Sequence, residues 1–329
     1  MPIIEQAIVG QTQLVDFFDK LAILSTTEAL SGSFILVGPE SSGKKTLATV
    51  LAAKLLCLAK SNRPCGECQS CREIKNKINS DLYWLSLPED KKNISVEDVR
   101  GLIRSLSLSS LTYDYKVAII DQAETLSVGA SNALLKTLEE PSKKTIVILL
   151  VNNLDKLPKT IVSRSQVFNL RPIKPDLVYD WLVNEHGTKR SEAKNLSRLS
   201  LGWPGLAIKF SADQALEKNH LDTVEAFLRA PSQGIPDRLD TIEKLLKNSD
   251  DAQAILNIWQ SATRDCLLSL LNQTDWLRYG SLAKDTAIDK SRVTQKQVLT
   301  WHKLITQARD YLNANVNPKL VLENVIINL

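Results

Sequence analysis

Residues 34–56, FILVGPESSGKKTLATVLAAKLL, constrain the fold more than any other part of the chain. A short apolar run, a glycine-containing turn and a long Ala- and Leu-rich segment follow one another, which indicates a strand, a loop and a helix. Such a loop points backbone N–H groups and a helix N-terminus at an anion, and Lys44 can reach the anion's charge. The sequence therefore predicts a phosphate-binding loop.

The predicted loop is incomplete, because Lys45 stands where the usual pattern has a metal-binding Ser or Thr. Thr46 comes one position late, so on a helix it points about a quarter turn away. A second apolar run, KVAIID, ends in Asp121, which could serve a metal, but the following Gln122 carries an amide that cannot act as a base. The predicted site is a degenerate nucleotide site, and ATP binding stays open. Its residues are Gly38, Gly43, Lys44, Lys45, Thr46 and Asp121.

The first half of the chain alternates apolar runs with helical patterns. Four runs are predicted to be strands and four segments to be helices: strands 33–38, 116–121, 145–153 and 166–170, and helices 46–60, 95–108, 127–140 and 157–165. Apolar strands separated by helices imply a parallel sheet covered on both faces. Beyond Arg171 only helical patterns follow. The predicted fold class is α/β plus all-α, with an α/β domain over 1–172 and helical domains over 173–208 and 209–329.

Four of the five cysteines lie within fifteen residues, in CLAKSNRPCGECQSC. Cys65, Cys68 and Cys71 are separated by two residues each, the spacing that lets thiolates share one Zn²⁺, and Cys57 would join from the preceding helix. Four thiolates close the tetrahedron, so the predicted zinc is structural. The alternative is four reduced thiols without metal. Cys266 lies in a helical pattern and is predicted to be a core residue.

The net charge and the hydropathy of the chain exclude few functional classes. The formal net charge of +4 permits contact with nucleic acid but does not argue for it. The N-terminus lacks the basic start and long apolar core of a secretory signal, and the apolar run TIVILLV is far shorter than the roughly 20 residues of a membrane span. We therefore expect a cytoplasmic protein with no membrane partner.

Taken in order, the segments IVGQ, GPESSGKKT, PCGECQSC, VEDVRGL, YKVAIIDQAETLSVGASNALLKTLEEP and SRSQVF closely resemble bacterial clamp-loader subunits of the AAA+ superfamily. The likeness is dense over residues 4–170, thinner over 171–208, and rests on helical content beyond. It implies an AAA+ module with a zinc-binding insertion, a small helical lid and a C-terminal helical collar that oligomerises.

This resemblance leaves two kinds of subunit open. The motor subunits (gamma/tau) hydrolyse ATP, whereas another member closes the ring without a complete catalytic site and lends an arginine to its neighbour. Lys45 and Gln122 depart from the motor pattern, and the motor's sensor arginine would fall near Gly205. These departures favour the non-hydrolysing member. A motor using Thr46 or Glu124 as substitutes is the alternative.

The resemblance also gives roles to residues that patterns alone leave unassigned. In Ser163-Arg164-Ser165, which matches the family's Ser-Arg-Cys motif without its Cys, Arg164 would reach the γ-phosphate bound by the adjacent subunit. Composition alone would indicate that Arg164 is an ordinary surface arginine. Asn152 or Asn153 matches the first sensor, and Gln11 lies where the family borders the adenine.

The partners that the resemblance implies are gamma/tau and delta subunits in a ring, with a sliding clamp and primed DNA reached through the complex. The chain would thereby belong to the DNA polymerase III holoenzyme. A third reading, an interaction protein that reuses the scaffold outside replication, predicts no assembly with such partners.

Overall fold

The structure, a computed structural model, describes residues 8–25, 27–108, 110, 112–248, 251–279 and 293–329. The chain forms two compact units. One comprises Met1–Ala193 with Gly202–Leu206, and the other comprises Lys194–Leu201 with Ala207–Leu329. The predicted division into three domains stays a prediction.

A five-stranded parallel sheet forms the centre of the first unit, in the order β2-β3-β4-β1-β5. Its strands are β1 Gly32–Val37, β2 Leu82–Leu85, β3 Lys116–Ile120, β4 Thr145–Val151 and β5 Gln166–Asn169. The predicted parallel sheet is confirmed, with one strand more than the sequence indicated. The short β2 escaped notice because none of its four residues is buried at the edge of the sheet.

Both faces of the sheet are covered, as the continuous apolar strands require. Every residue of β4 is buried, and its side chains alternate between two cores. Ile148 packs in a core with Phe18 and Leu51, whereas Leu149 packs on the opposite face with Val99 and Leu134. The helices that supply these cores and the short connecting helices are α1 Thr12–Leu24, α2 Lys44–Leu56, α3 Gln69–Lys75, α4 Val96–Ser107, α5 Val128–Glu139 and α6 Lys159–Val162.

Local signals set several helix ends. Ser95 and Asp98 form the predicted capping box of α4, in which the Ser95 hydroxyl accepts from the Asp98 N–H and the Asp98 carboxylate accepts from the Ser95 N–H. The predicted extension of α2 to residue 60 is wrong. Cys57 has extended backbone (φ −66°, ψ 133°), which turns the chain out of the helix and into the cysteine-rich loop.

The rest of the described chain is helical, as expected. The helices are α7 Pro175–His186, α8 Arg190–Leu199, α9 Pro204–Ala212, α10 Gln214–Arg229, α11 Ile235–Asn248, α12 Ala252–Leu270, α13 Gln295–Asn313 and α14 Pro318–Ile327. In the second unit Phe227 packs against Trp259 and Trp301, with ring centroids 5.9 and 6.0 Å away. Cys266 is buried, as predicted. Among the helices of the described ranges, none combines the length and apolar character needed to cross a membrane.

Candidate nucleotide site, arginine and metal centre

The loop predicted to bind phosphate lies at the carboxyl edge of the sheet. Gly38 follows β1, Asp121 follows β3 and Asn152 follows β4. Because β4 lies between β1 and β3 and all three strands are parallel, their ends bring these residues to one place. Gly43 begins α2 with φ +94°, a left-handed conformation that favours glycine.

The ammonium group of Lys44 donates hydrogen bonds to acceptors within the chain itself. Its Nζ donates to the carbonyl oxygens of Gly38 (2.5 Å) and Pro39 (2.8 Å) and to Asn152 Oδ1 (2.9 Å). These three contacts use all three N–H donors of an ammonium group. Burial lowers the pKa of Lys44 to about 8, an effect that the nearby Glu124 carboxylate partly offsets. A phosphate could bind the Lys44 ammonium group only if these internal hydrogen bonds were broken.

Lys45 supplies a cation at the position where the fold family would hold a metal. Its Nζ lies 2.7 Å from Asp121 Oδ2, and the Asp121 side chain is only 8% exposed. Thr46, the third residue of α2, is partly buried, and the contact to Asp121 comes from Lys45. The residues therefore do not fit Mg²⁺, because the loop hydroxyl is replaced and the carboxylate is already neutralised by an ammonium group.

Glu124 also belongs to this site. Its Oε1 accepts a hydrogen bond from the Asn152 N–H (3.0 Å), and its Oε2 is buried without a hydrogen-bond partner among the described residues. Asn152 thus contacts both Lys44 and Glu124. Its neighbour Asn153 instead accepts from the Asp155 N–H in a local turn. Of the two asparagines, the structure brings Asn152 into the site. Gln122 is exposed.

The structure also places Gly205 and Gln11, both within the first unit. A Cβ atom added to Gly205 would lie 2.5 Å from the Ser41 carbonyl oxygen, so the backbone at 205 sits directly against the loop. This close approach leaves no room for a side chain at the position where a sensor arginine would fall. Gln11 uses its amide on the backbone of Arg171, donating to its carbonyl (2.5 Å) and accepting from its N–H (3.3 Å).

Arg164 lies at the opposite end of the strands, beside the amino end of β1. Its carbonyl accepts a hydrogen bond from Ser33 Oγ (2.7 Å) at the start of β1, and β5 begins at Gln166 beside Phe34. The phosphate loop starts at Gly38, five residues further along β1, which is roughly 17 Å at the rise of a strand. Arg164 is thus too distant to serve the chain's own loop. Its side chain is one-third exposed, with Nε donating to Glu139 Oε2 (3.1 Å).

The four clustered cysteines converge as predicted. Their sulfur atoms all lie within 4.8 Å of one another, with Cys57 Sγ 3.6 Å from Cys65 Sγ and 3.9 Å from Cys68 Sγ. Sulfurs bound to one zinc at about 2.3 Å are about 3.8 Å apart in a tetrahedron. Burial raises the pKa of Cys65, but N–H groups of Glu67 and Cys68 bond to its sulfur and bring the pKa down to about 7. Cys57, Cys65, Cys68 and Cys71 therefore fit a closed, structural zinc site.

Comparison with known proteins gives matches along most of the chain. The family described as "DNA polymerase III, delta subunit" matches residues 11–174. The DNA polymerase III subunit tau of Bacillus subtilis is 29% identical over 79% of this chain and 49% of its own length. A solved gamma-subunit-related protein of DNA polymerase III from Thermotoga maritima covers 94% of this chain and 97% of its own, at 19% identity and a TM-score of 0.47.

The DNA polymerase III subunit delta' of Haemophilus influenzae is 30% identical over 302 residues, which span 90% of this chain and 89% of that protein. This match continues through the C-terminal helices, where sequence patterns offered only helical content. The chain belongs to the family of DNA polymerase III delta' subunits.

Proposed function

We propose that this chain is a non-hydrolysing ring member of a clamp loader and that its Arg164 completes the ATP site of a neighbouring subunit. Motor (gamma/tau) and delta subunits are its partners, and the assembly loads a sliding clamp onto primed DNA. The observation that carries the proposal is the position of Arg164 at the amino edge of the sheet, opposite the chain's own nucleotide loop. An exposed arginine there can reach a phosphate only on another chain.

The chemistry asked of Arg164 is electrostatic. Phosphoryl transfer spreads negative charge over the transferred group, and a planar guanidinium offers two parallel N–H donors to its oxygens. Arginines supplied in this way from another chain raise turnover by about three to five powers of ten. Arg164 would hold and orient the γ-phosphate of the neighbour without taking part in any bond change.

The chain's own loop supports the non-hydrolysing role. Lys44 is fully engaged by internal acceptors, Lys45 neutralises Asp121, and Gln122 replaces the catalytic base. These contacts keep the strand, loop and helix in place without nucleotide. We infer that the loop is retained for the packing of the module, with the zinc cysteines fixing the loop that follows α2.

The proposal is tested by turnover in the reconstituted loader with clamp and primed DNA present. Arg164→Ala should lower the kcat for ATP by at least about 100-fold relative to the native loader, while the complex stays assembled by size-exclusion chromatography. Arg100→Ala removes the same charge from the exposed face of α4 and should leave kcat unchanged. Unchanged turnover with Arg164→Ala would refute the trans role.

The alternative, an ATP-hydrolysing gamma/tau-like subunit, draws its support from Glu124. This carboxylate reaches the site and could stand in for the base that Gln122 cannot supply. The discriminating measurement is ATP binding and Mg²⁺-dependent turnover by the isolated chain, with Lys44→Ala as the control. Turnover that Lys44→Ala abolishes would establish the alternative. We expect none.

A further inference from the structure

We propose that Glu139 is a positioning residue for Arg164, and that it fixes the guanidinium so that its outer edge faces a phosphate on the neighbouring subunit. This inference rests on the proposed trans role of Arg164. Neither residue type nor spacing suggested the pair, because Glu139 ends α5 and Arg164 follows α6, 25 residues later.

Arg164 is held at both ends. Its carbonyl accepts from Ser33 Oγ (2.7 Å), which ties its backbone to β1. Its Nε donates to Glu139 Oε2 (3.1 Å), and its Nη1 donates to the Thr160 carbonyl (3.1 Å) and, at 3.5 Å, to Ser163 Oγ. Two acceptors on different elements therefore define both the position and the plane of the guanidinium.

The remaining donors are the ones that a phosphate needs. A guanidinium carries five N–H groups, and these contacts engage the Nε–H and the Nη1 side. Nη2 has no hydrogen-bond partner within the ranges that the structure describes. The two N–H groups of Nη2 are therefore left for phosphate oxygens, to which a guanidinium donates strong, charge-assisted hydrogen bonds. Glu139 thus binds the Nε–H of the guanidinium and leaves Nη2 available.

Stability alone does not account for this ion pair. The side chains of Arg164 and Glu139 are 33% and 58% exposed, and pairs of such exposure contribute little to folding. Restricting a long arginine side chain before it meets its ligand has a different benefit, since the rotamer entropy is not lost at the moment of reaction. The effect of Glu139 should therefore show in turnover rather than in unfolding.

The test compares three variants in the reconstituted loader. Glu139→Ala should lower kcat for ATP about two- to fivefold with KM unchanged, and Glu139→Gln, which keeps an acceptor oxygen, should fall between it and the native chain. Glu140→Ala is the matched control, because it removes the same charge one residue away, where the side chain is exposed. It should leave kcat at the native value, and all three should unfold like the native chain.

A double-mutant cycle separates positioning from a general effect. In an Arg164→Ala background, Glu139→Ala should have no further effect on kcat, because the group that it positions is gone. A loss of equal size with and without Arg164 would overturn the inference, as would a Glu139→Ala loader that matches Glu140→Ala. If Arg164→Ala alone leaves turnover unchanged, the proposed function itself fails, and the inference with it.

Discussion

The ammonium group of Lys45 lies 2.7 Å from Asp121 Oδ2, at the carboxyl ends of β1 and β3 where a nucleotide-binding relative would hold a metal. Asp121 is nearly buried, so its charge needs a partner. Lys45 provides that partner as part of the chain. Within the folded chain the Asp121 carboxylate is therefore already paired without a metal.

Replacing Lys45 by Thr should make the stability of the chain depend on Mg²⁺. The variant restores the loop hydroxyl and leaves Asp121 without its cation. Because Lys45 is 68% exposed, the lost pair should cost only about 1 kcal/mol of unfolding free energy. Millimolar Mg²⁺ should recover part of this loss in the variant and leave the native chain unaffected, as measured by thermal unfolding.

Lys92→Thr is the control for that experiment, since it makes the same substitution at an exposed lysine remote from the loop in sequence. It should show neither the loss nor the Mg²⁺ response. An equal Mg²⁺ response in native protein and Lys45→Thr would contradict the view that Lys45 takes the place of the metal.

Lys44 should make the chain more stable as the pH rises from 8 to 10. Its pKa is about 8 in the folded chain because it is buried, against 10.5 when exposed. Between these values the unfolded state binds more protons, so raising the pH favours the folded state. The native chain should gain about 2 kcal/mol relative to Lys44→Met over this interval. Urea unfolding of both proteins at pH 8, 9 and 10 measures the difference, and a flat difference would mean an ordinary pKa.

Structural features that depend only on residues close together in the sequence could be predicted. The capping box of Ser95 and Asp98 and the two-residue spacing of the cysteines each follow from chain geometry over a few residues. The point at which α2 ends could not be predicted in this way, because Ala and Leu favour continuing the helix. Its end at Leu56 is set by the convergence of Cys57 with three cysteines further on, a tertiary constraint that overrides local preference.

The partners of the site residues were beyond the reach of sequence patterns because they come from distant segments. Glu124 joins the site through the end of β4, and Glu139 meets Arg164 across two helices. Periodicity identifies which face of a helix is buried but not which side chain lies opposite. The clue that the sequence did contain was the absence of a side chain at Gly205, and its cause became visible only in the contact with Ser41.

Zinc should be bound at one ion per chain and should stabilise the first unit. Cys68→Ser should lower zinc content and the melting temperature together, because the loop from Cys57 to Cys71 would lose the ion that joins its ends. Cys266→Ala is the control. It removes a buried sulfur outside the cluster, so it should lower stability while zinc content stays native. Metal analysis by mass spectrometry with parallel thermal unfolding measures both quantities, and full zinc retention in Cys68→Ser would argue against the predicted ligand set.

Two glycines in helices should respond to alanine with opposite signs. Gly101 in α4 has no atom within 4 Å of an added Cβ, so Gly101→Ala should stabilise the chain by about 0.5–1 kcal/mol through helix propensity. Gly205 in α9 should gain the same propensity, but its Cβ would meet the Ser41 carbonyl oxygen at 2.5 Å. Because backbone must move to relieve that overlap, Gly205→Ala should destabilise the chain by about 1–3 kcal/mol.

Urea unfolding of the two variants against the native chain measures both effects on the same scale. Destabilisation by Gly205→Ala would indicate that the backbone at 205 fixes the conformation of the phosphate loop. Restoring a sensor arginine at this position would then be excluded on steric grounds. Stabilisation of similar size by both alanines would show that the loop yields freely to position 205. The close approach of position 205 to Ser41 would then not be a fixed property of the folded chain.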